Sequence, residues 1–153
     1  MAFAAAMDLL TMTIPNRVTL GLALAFFASA PLMGLGASDI AMHMAAGAVV
    51  LVAGIALFAV GGFGGGDAKL LAAAALWIGF EQLVAFLALT AVCGGVLALA
   101  ILYYRRLPIL GIRAPDWAMR LHKQGGGIPY GIAITGAALL VFPITPWVVA
   151  TAG

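Results

Sequence analysis

The sequence predicts an all-α polytopic membrane protein, a bundle of about six transmembrane segments that forms a single domain over residues 1–153. Hydrophobic residues make up 65% of the chain and charged residues only 8%, whereas soluble domains contain about 45 to 50% apolar residues. The apolar residues fall in runs, most of them close to the roughly 17 to 25 residues that cross a bilayer as a helix. Most charged residues lie between these runs.

Six apolar segments follow one another along the chain. Their predicted bounds are Met1 to Ile14, Val18 to Gly34, Ile40 to Val60, Ala68 to Phe80, Leu83 to Tyr104, and Ile128 to Ala150. The first is a shortened helix, or the remnant of one that starts upstream of Met1. The fourth is a short helix between a glycine run and the polar pair Glu81-Gln82. Pro143 and Pro146 predict a kink in the last segment.

A signal peptide is a competing interpretation of the N-terminal region. Arg17, an apolar run and Ala28-Ser29-Ala30 follow one another in the order that such peptides show. The stretch before Arg17 is largely apolar and contains an acidic residue, which disfavours this interpretation.

Basic residues are confined to alternate loops. Arg17 follows the first segment, Lys69 lies at the start of the fourth, and five more lie between the fifth and sixth: Arg105, Arg106, Arg113, Arg120 and Lys123. Loops rich in Lys and Arg stay in the cytoplasm, so we expect these loops to be cytoplasmic and both termini to face outward. Asp8 and Asp67 then lie near the cytoplasmic face. Within the large loop, residues from Pro115 to Gly125 predict a short interfacial helix on anionic headgroups.

Composition excludes several other function classes. The basic residues are not interleaved with aromatic residues on a soluble surface, which disfavours nucleic-acid binding. The single cysteine, Cys93, excludes an intramolecular disulfide and a CxxC zinc site. His43 lies one turn past Asp39 in an apolar segment and is predicted to be a packed or interface-facing histidine.

Two acidic residues require more explanation than the others. Three of the five acidic residues fall in loops or caps: Asp39, Glu81 and Asp116. Pro15 should end the first helix near Thr13, which places Asp8 more than a turn inside that helix. A charge in hydrocarbon costs several kcal/mol, so Asp8 and Asp67 are candidates for a functional role.

Asp67 follows a run from Gly61 to Gly66 in which five of six residues are glycine. Glycines let the backbone adopt positive φ and let another chain approach closely. A helix from Ala68 to Gly79 is predicted to begin after this run. The structural alternative is that Asp67 only caps that helix.

Two carboxylates from different helices that meet in a low-dielectric site cannot both ionise easily. Such a pair can act as general base and general acid on one water molecule, which is the chemistry of aspartic peptidases. The residues alone leave other functions open. These are a non-enzymatic membrane subunit and a small ion or proton transporter, in which the acids would bind cations or protons.

Three motifs resemble those of the GxGD aspartic peptidases, in the form carried by type IV prepilin peptidases. The stretch from Gly64 to Leu71, GGGDAKLL, resembles the GxGDxKLL signature. The stretch from Asp8 to Asn16 resembles the family's first catalytic motif, an Asp followed by an Ile-Pro-Asn turn. Ile128-Pro129-Tyr130-Gly131 resembles its third element, a Pro-aromatic-Gly at the start of the last helix. The motifs occur in the family's order and extend over nearly the whole chain.

The resemblance implies that Asp8 and Asp67 form the catalytic pair, without metal or cofactor. Further motif residues would shape the loops or lie near the substrate: Pro15, Asn16, Gly64, Gly66, Lys69, Pro129, Tyr130 and Gly131. The implied substrate is a prepilin whose basic leader, ending in Gly, is cut on the cytoplasmic side just before an apolar helix. The implied location is the bacterial inner membrane, with pilus assembly machinery as a further partner.

Long members of that family carry a cytoplasmic insertion with paired cysteines, which is linked to N-methylation of the cleaved pilin. This chain has one cysteine and no such insertion. It therefore resembles the short form found with Flp/Tad-type pili. A catalytically silent partner of the pilus machinery is the alternative if the helix around Asp8 is unsupported.

Overall fold

A computed structural model describes residues 1–107 and 115–149 of the protein. Within these ranges the regular structure is helical and contains no strand, which confirms the predicted all-α class. The helices are α1 (Ala2–Thr11), α2 (Asn16–Leu32), α3 (Ala37–Ala59), α4 (Gly65–Ile78), α5 (Phe80–Arg106), α6 (Asp116–His122), α7 (Tyr130–Val141), a 3-10 turn (Phe142–Ile144) and α8 (Pro146–Val149).

The short helix α4 is the centre of the bundle, since α2, α3, α5 and α7 all pack against it. Its residues 72–75 are buried alanines, whose small side chains let neighbouring helices approach closely. The facing surface of α3 carries glycine. A Cβ added at Gly54 would lie only 2.9 Å from the Cβ of Ala68. The short fourth segment of the sequence is therefore the core of the fold.

A single residue, Gly79, separates α4 from α5. Its φ of +75° lies in the left-handed region that glycine adopts without strain. The predicted break at Glu81-Gln82 was wrong, because both residues belong to the first turn of α5. Glu81 is favourable there, since an acidic side chain complements the positive end of the helix dipole.

The C-terminal segment is not one kinked helix as predicted for Ile128 to Ala150. The helix α7 ends at Val141, and the 3-10 turn and α8 follow it. Pro143 lies in that turn, where a residue without an N–H interrupts the α-helical hydrogen bonds. Two predicted positions lie outside the described residues: Ala150, the end of this segment, and Arg113 of the basic loop.

Two of the described helices, α3 and α5, are long and apolar enough to cross a membrane. The helices α1 and α2 and the run from α7 into the 3-10 turn are shorter apolar helices, and α4 has 14 residues. The prediction of six spans is therefore not confirmed. Large apolar side chains nevertheless lie on the outside of the bundle, such as Val52 on α3 and Val84 on α5, which are 68% and 79% exposed. Extensive exposed apolar surface indicates a membrane environment.

His43 is packed inside the bundle, as predicted. It is 8% exposed, and its Nδ1–H donates a hydrogen bond to the carbonyl oxygen of Leu76 at 2.8 Å. Its ring centre lies 5.5 Å from that of Phe26 and 6.0 Å from that of Trp147. This aromatic contact group stabilises the end of the bundle where α4 finishes.

Candidate active site

A cavity of about 260 Å³ lies at the end of the bundle where α1 finishes and α4 begins. Residues of the first two predicted motifs line it: Asp8, Met12, Thr13, Ile14, Asn16, Gly64, Gly65, Gly66, Asp67 and Lys69. The fold thus brings two segments that are far apart in the sequence to one space. That space has room for several water molecules.

Asp8 lies in the last turn of α1. The helix ends at Thr11, because Met12 adopts a left-handed conformation (φ 55°) and donates its N–H to the main-chain oxygen of Asp8 at 2.8 Å. The expected end near Thr13 was two residues too late, so Asp8 is not deep inside the helix. Its side chain is still only 5% exposed. The early end of α1 therefore brings a buried carboxylate to the cavity.

Asp67 lies in the first turn of α4. This helix begins at Gly65 rather than at Ala68, with Gly64 as its N-cap residue, so Asp67 is not the cap. Its partly buried carboxylate lies over Gly64, where an added Cβ would come within 2.5 Å of Oδ2. A side chain at Gly64 would therefore displace the Asp67 carboxylate. This steric requirement explains the glycine at that position of the motif.

The two aspartates come from different helices and line the same cavity. Two carboxyl groups in such an arrangement can share a proton, so that one accepts a proton from a water molecule and the other donates one.

The third motif supports Asp8 rather than lining the cavity. The main-chain N–H of Gly131, in the first turn of α7, donates a hydrogen bond to Asp8 Oδ2 at 2.7 Å. A Cβ added at Gly131 would lie 2.8 Å from the same oxygen, so only glycine permits this approach. Pro129 is buried and precedes α7 as its N-cap residue. The Tyr130 ring packs on Phe63, with ring centres 6.0 Å apart.

Two further contacts join the first and second motifs. Lys69 Nζ donates a hydrogen bond to Asn16 Oδ1 at 3.0 Å. At Gly66, an added Cβ would lie 3.3 Å from the Cβ of Ile14, so glycine lets α4 approach the turn closely. Pro15 precedes α2 as its N-cap residue. The predicted residues of both motifs thus form one structural unit.

Comparison with known families gives one match. Residues 1–99 match the type IV leader peptidase family. The chain belongs to the type IV leader peptidase family. Comparisons with curated proteins and with solved structures gave no significant match.

Membership of the type IV leader peptidase family supports a protease function, a prepilin substrate and a membrane context. The matched residues contain both aspartates and the whole cavity lining. The Pro-Tyr-Gly motif lies beyond residue 99, so its place in the site depends on the hydrogen bond between Gly131 and Asp8.

The sequence analysis missed two arginines that support the site. Arg105 lies at the end of α5, and its Nε donates a hydrogen bond to the carbonyl oxygen of Leu121 at 2.8 Å. Its Nη2 donates to the carbonyl oxygens of Gly126 at 2.8 Å and Gly127 at 3.1 Å. Arg120 donates one to the carbonyl oxygen of Leu10 in α1. The Arg105 bonds hold the segment before Gly131, and the Arg120 bond joins α6 to α1. The sequence analysis interprets Arg105 as a topology signal and Arg120 also as part of the predicted loop helix, and their sequence positions carry no sign of these contacts.

The helix predicted within the large loop is present as α6, and its position at the membrane interface stays a prediction. It begins at Asp116 after Pro115, and it ends at His122 rather than near Gly125. Leu121 on this helix is buried. Among residues 1–107 and 115–149, no group of three or more His, Cys, Asp or Glu side chains is placed to hold a metal ion.

Proposed function

We propose that the protein is an aspartic endopeptidase that removes the leader of Flp-type prepilins, with Asp8 and Asp67 acting on one water molecule. The observation that carries this proposal is the meeting of the two aspartates in one cavity, together with the hydrogen bond that the Gly131 N–H donates to Asp8. Membership of the leader peptidase family supports the reaction class.

In the proposed reaction one carboxylate accepts a proton from water as the water oxygen attacks the carbonyl carbon of the scissile peptide bond. The other carboxyl group, which holds the shared proton, donates it to the developing oxyanion. As the C–N bond breaks, the first carboxyl group donates the proton that it took from water to the leaving nitrogen, and the second regains a proton from a hydroxyl of the intermediate. The residues from Gly64 to Gly66 leave the cavity wall without side chains, which lets an extended substrate strand lie against the backbone.

We propose that the cavity faces the cytoplasm. Several basic side chains lie at the same end of the bundle, including Lys69 on the cavity wall and Arg105 beside the loop that leads to Gly131. The acidic residues Asp39 and Glu81 line a separate cavity. The positive-inside rule then assigns the basic end to the cytoplasmic side. A basic leader in the cytoplasm would meet two acidic side chains at the catalytic cavity.

The proposal is tested by co-expressing the chain with a candidate Flp-type prepilin and measuring leader removal by the shift in pilin size. Asp8→Asn and Asp67→Asn keep the shape of each side chain but remove its acid–base chemistry. Each variant is expected to insert into the membrane and to leave the prepilin uncut. Asp116→Asn, an exposed acid in the first turn of α6, is the matched control and should cut normally.

Cleavage at the wild-type rate by either active-site variant would show that the pair does not perform the reaction. A proton- or ion-dependent flux in vesicles, with pilin processing unaffected by deletion of the protein, would instead favour the transporter.

A further inference from the structure

A groove of about 550 Å³ lies beside the candidate active site on the outside of the bundle. Both α2 and α3 pack on α4 but make few contacts with each other, so the surface of α4 forms the floor of the groove. The walls are apolar and open to the surroundings. Leu20, Phe27 and Met44 on these walls are 60%, 44% and 47% exposed. We call this space the α2–α3 groove.

The end of the groove nearest the catalytic cavity is positively charged. Arg17 and Lys69 line it there and are both exposed. Among the described residues that line the groove, none is acidic. Arg17 lies in the first turn of α2, where a cation is unfavourable because it opposes the positive end of the helix dipole. An anionic group at this point would neutralise the positive charges of Arg17 and Lys69, and it would interact favourably with the positive end of the α2 helix dipole.

We propose that the α2–α3 groove binds one anionic phospholipid. The headgroup phosphate lies between Arg17 and Lys69, and an acyl chain lies along the apolar walls towards Phe27 and Met44. The anionic headgroup then meets the basic end of the groove, and the acyl chain meets the apolar walls. The groove is open along its side, so a lipid can enter it from the bilayer.

An apolar peptide helix, such as that of the substrate, fits the groove less well. An incoming helix that begins at this level would bring the positive end of its dipole to Arg17 and Lys69. The charge of the groove therefore favours the lipid.

The bound lipid would lie next to the catalytic cavity. Lys69 and Asn16 line both spaces, and the hydrogen bond between them forms part of the wall that separates the two. A phosphate on Lys69 would therefore restrain the same side chain that lines the catalytic cavity. The binding itself does not depend on the proposed peptidase activity.

The test uses native mass spectrometry of the full chain in detergent, with phosphatidylglycerol and phosphatidylcholine added in equal amounts. The wild-type protein is expected to retain one phosphatidylglycerol molecule in preference to phosphatidylcholine. Arg17→Gln and Lys69→Gln should each weaken that preference roughly fivefold, the effect of one basic side chain near a membrane surface. Arg106→Gln is the control, because this exposed arginine ends α5 away from the groove.

A second pair of variants tests the apolar part. Ala48 is an exposed residue on the α3 wall, so Ala48→Trp should fill the groove and abolish selective retention. Ala45→Trp places the same side chain on α3 outside the groove and should have no effect. Equal retention of the two lipids, or equal losses in the variants and their controls, would overturn the proposal. A photo-crosslinker at position 48 that captures a co-expressed prepilin instead of lipid would assign the groove to the substrate and would also overturn it.

Discussion

Replacing Gly131 by alanine is the most direct test of how Asp8 is positioned. The Gly131 N–H donates to Asp8 Oδ2 at 2.7 Å. The added Cβ would lie 2.8 Å from that oxygen and 3.0 Å from the Asp8 Cβ. The first separation is shorter than real Cβ atoms show, the second is tighter than most of their contacts, and the nearest neighbour is a buried side chain with little room to move. We therefore expect α7 and Asp8 to move apart and the hydrogen bond to lengthen or break.

The size of the effect follows from that hydrogen bond. A bond from an N–H to a charged acceptor contributes about 1.5 to 3 kcal/mol. If the carboxylate must be in place in the transition state, this loss corresponds to a rate decrease of roughly 10- to 100-fold. Misplacement of a catalytic group by about 1 Å has an effect of the same order.

The measurement is the initial rate of leader cleavage by purified Gly131→Ala in detergent or vesicles. Gly136→Ala is the matched control, because an alanine Cβ there meets no described heavy atom within 4 Å on the same helix, α7. This control should cleave normally, since alanine is the better helix former by about 1 kcal/mol. A wild-type rate for Gly131→Ala would refute the positioning role of Gly131, and an equal loss in the control would attribute the effect to α7 as a whole.

Two further predictions concern contacts around α4. Lys69→Met and Asn16→Ala should each slow leader cleavage about fivefold, because both remove the same 3.0 Å hydrogen bond. The double variant should then be no slower than the slower single variant. Additive effects of the two substitutions on the initial rate would contradict this. Gly54→Ala should lower the thermal unfolding midpoint in detergent by roughly 5 °C, because the new Cβ would lie 2.9 Å from that of Ala68. Gly21→Ala, where an added Cβ meets no described atom within 4 Å, should not lower the unfolding midpoint. Equal midpoints for the two variants would show that α3 and α4 are not closely packed at Gly54.

The helical class was predictable because composition alone excludes a soluble fold, and the apolar runs show where most helices lie. Helix ends were less predictable, since they depend on single backbone conformations. The left-handed conformation of Met12 ends α1, yet no neighbouring residue marks this end, whereas α4 ends at Gly79, where the sequence predicts it. Polar residues did not mark the helix ends reliably, because Glu81 lies in the first turn of α5, where its charge is favourable.

The cavity residues were predictable from motif chemistry, but the way in which they are supported was not. Asp8 and Asp67 stood out because a charge in an apolar chain needs a partner. The hydrogen bonds of Arg105 and Arg120 go to main-chain carbonyl oxygens. Every residue has such an oxygen, so no pattern of side chains in the sequence indicates which ones a basic side chain will reach. Contacts of this kind become visible only when the fold is known.

The glycines of the motifs explain how the proposed site can be assembled around a short first helix. Gly131 provides the N–H that binds Asp8, and it leaves space for the carboxylate. Gly66 lets the first turn of α4 approach Ile14, in the turn that follows α1, and so brings Asp67 to the same cavity. Each contact joins α1 or its following turn to a helix of the bundle, so α1 does not need to span the bilayer to be held firmly. A short α1 is therefore compatible with the proposed catalytic pair, because its end and not its length determines where Asp8 lies.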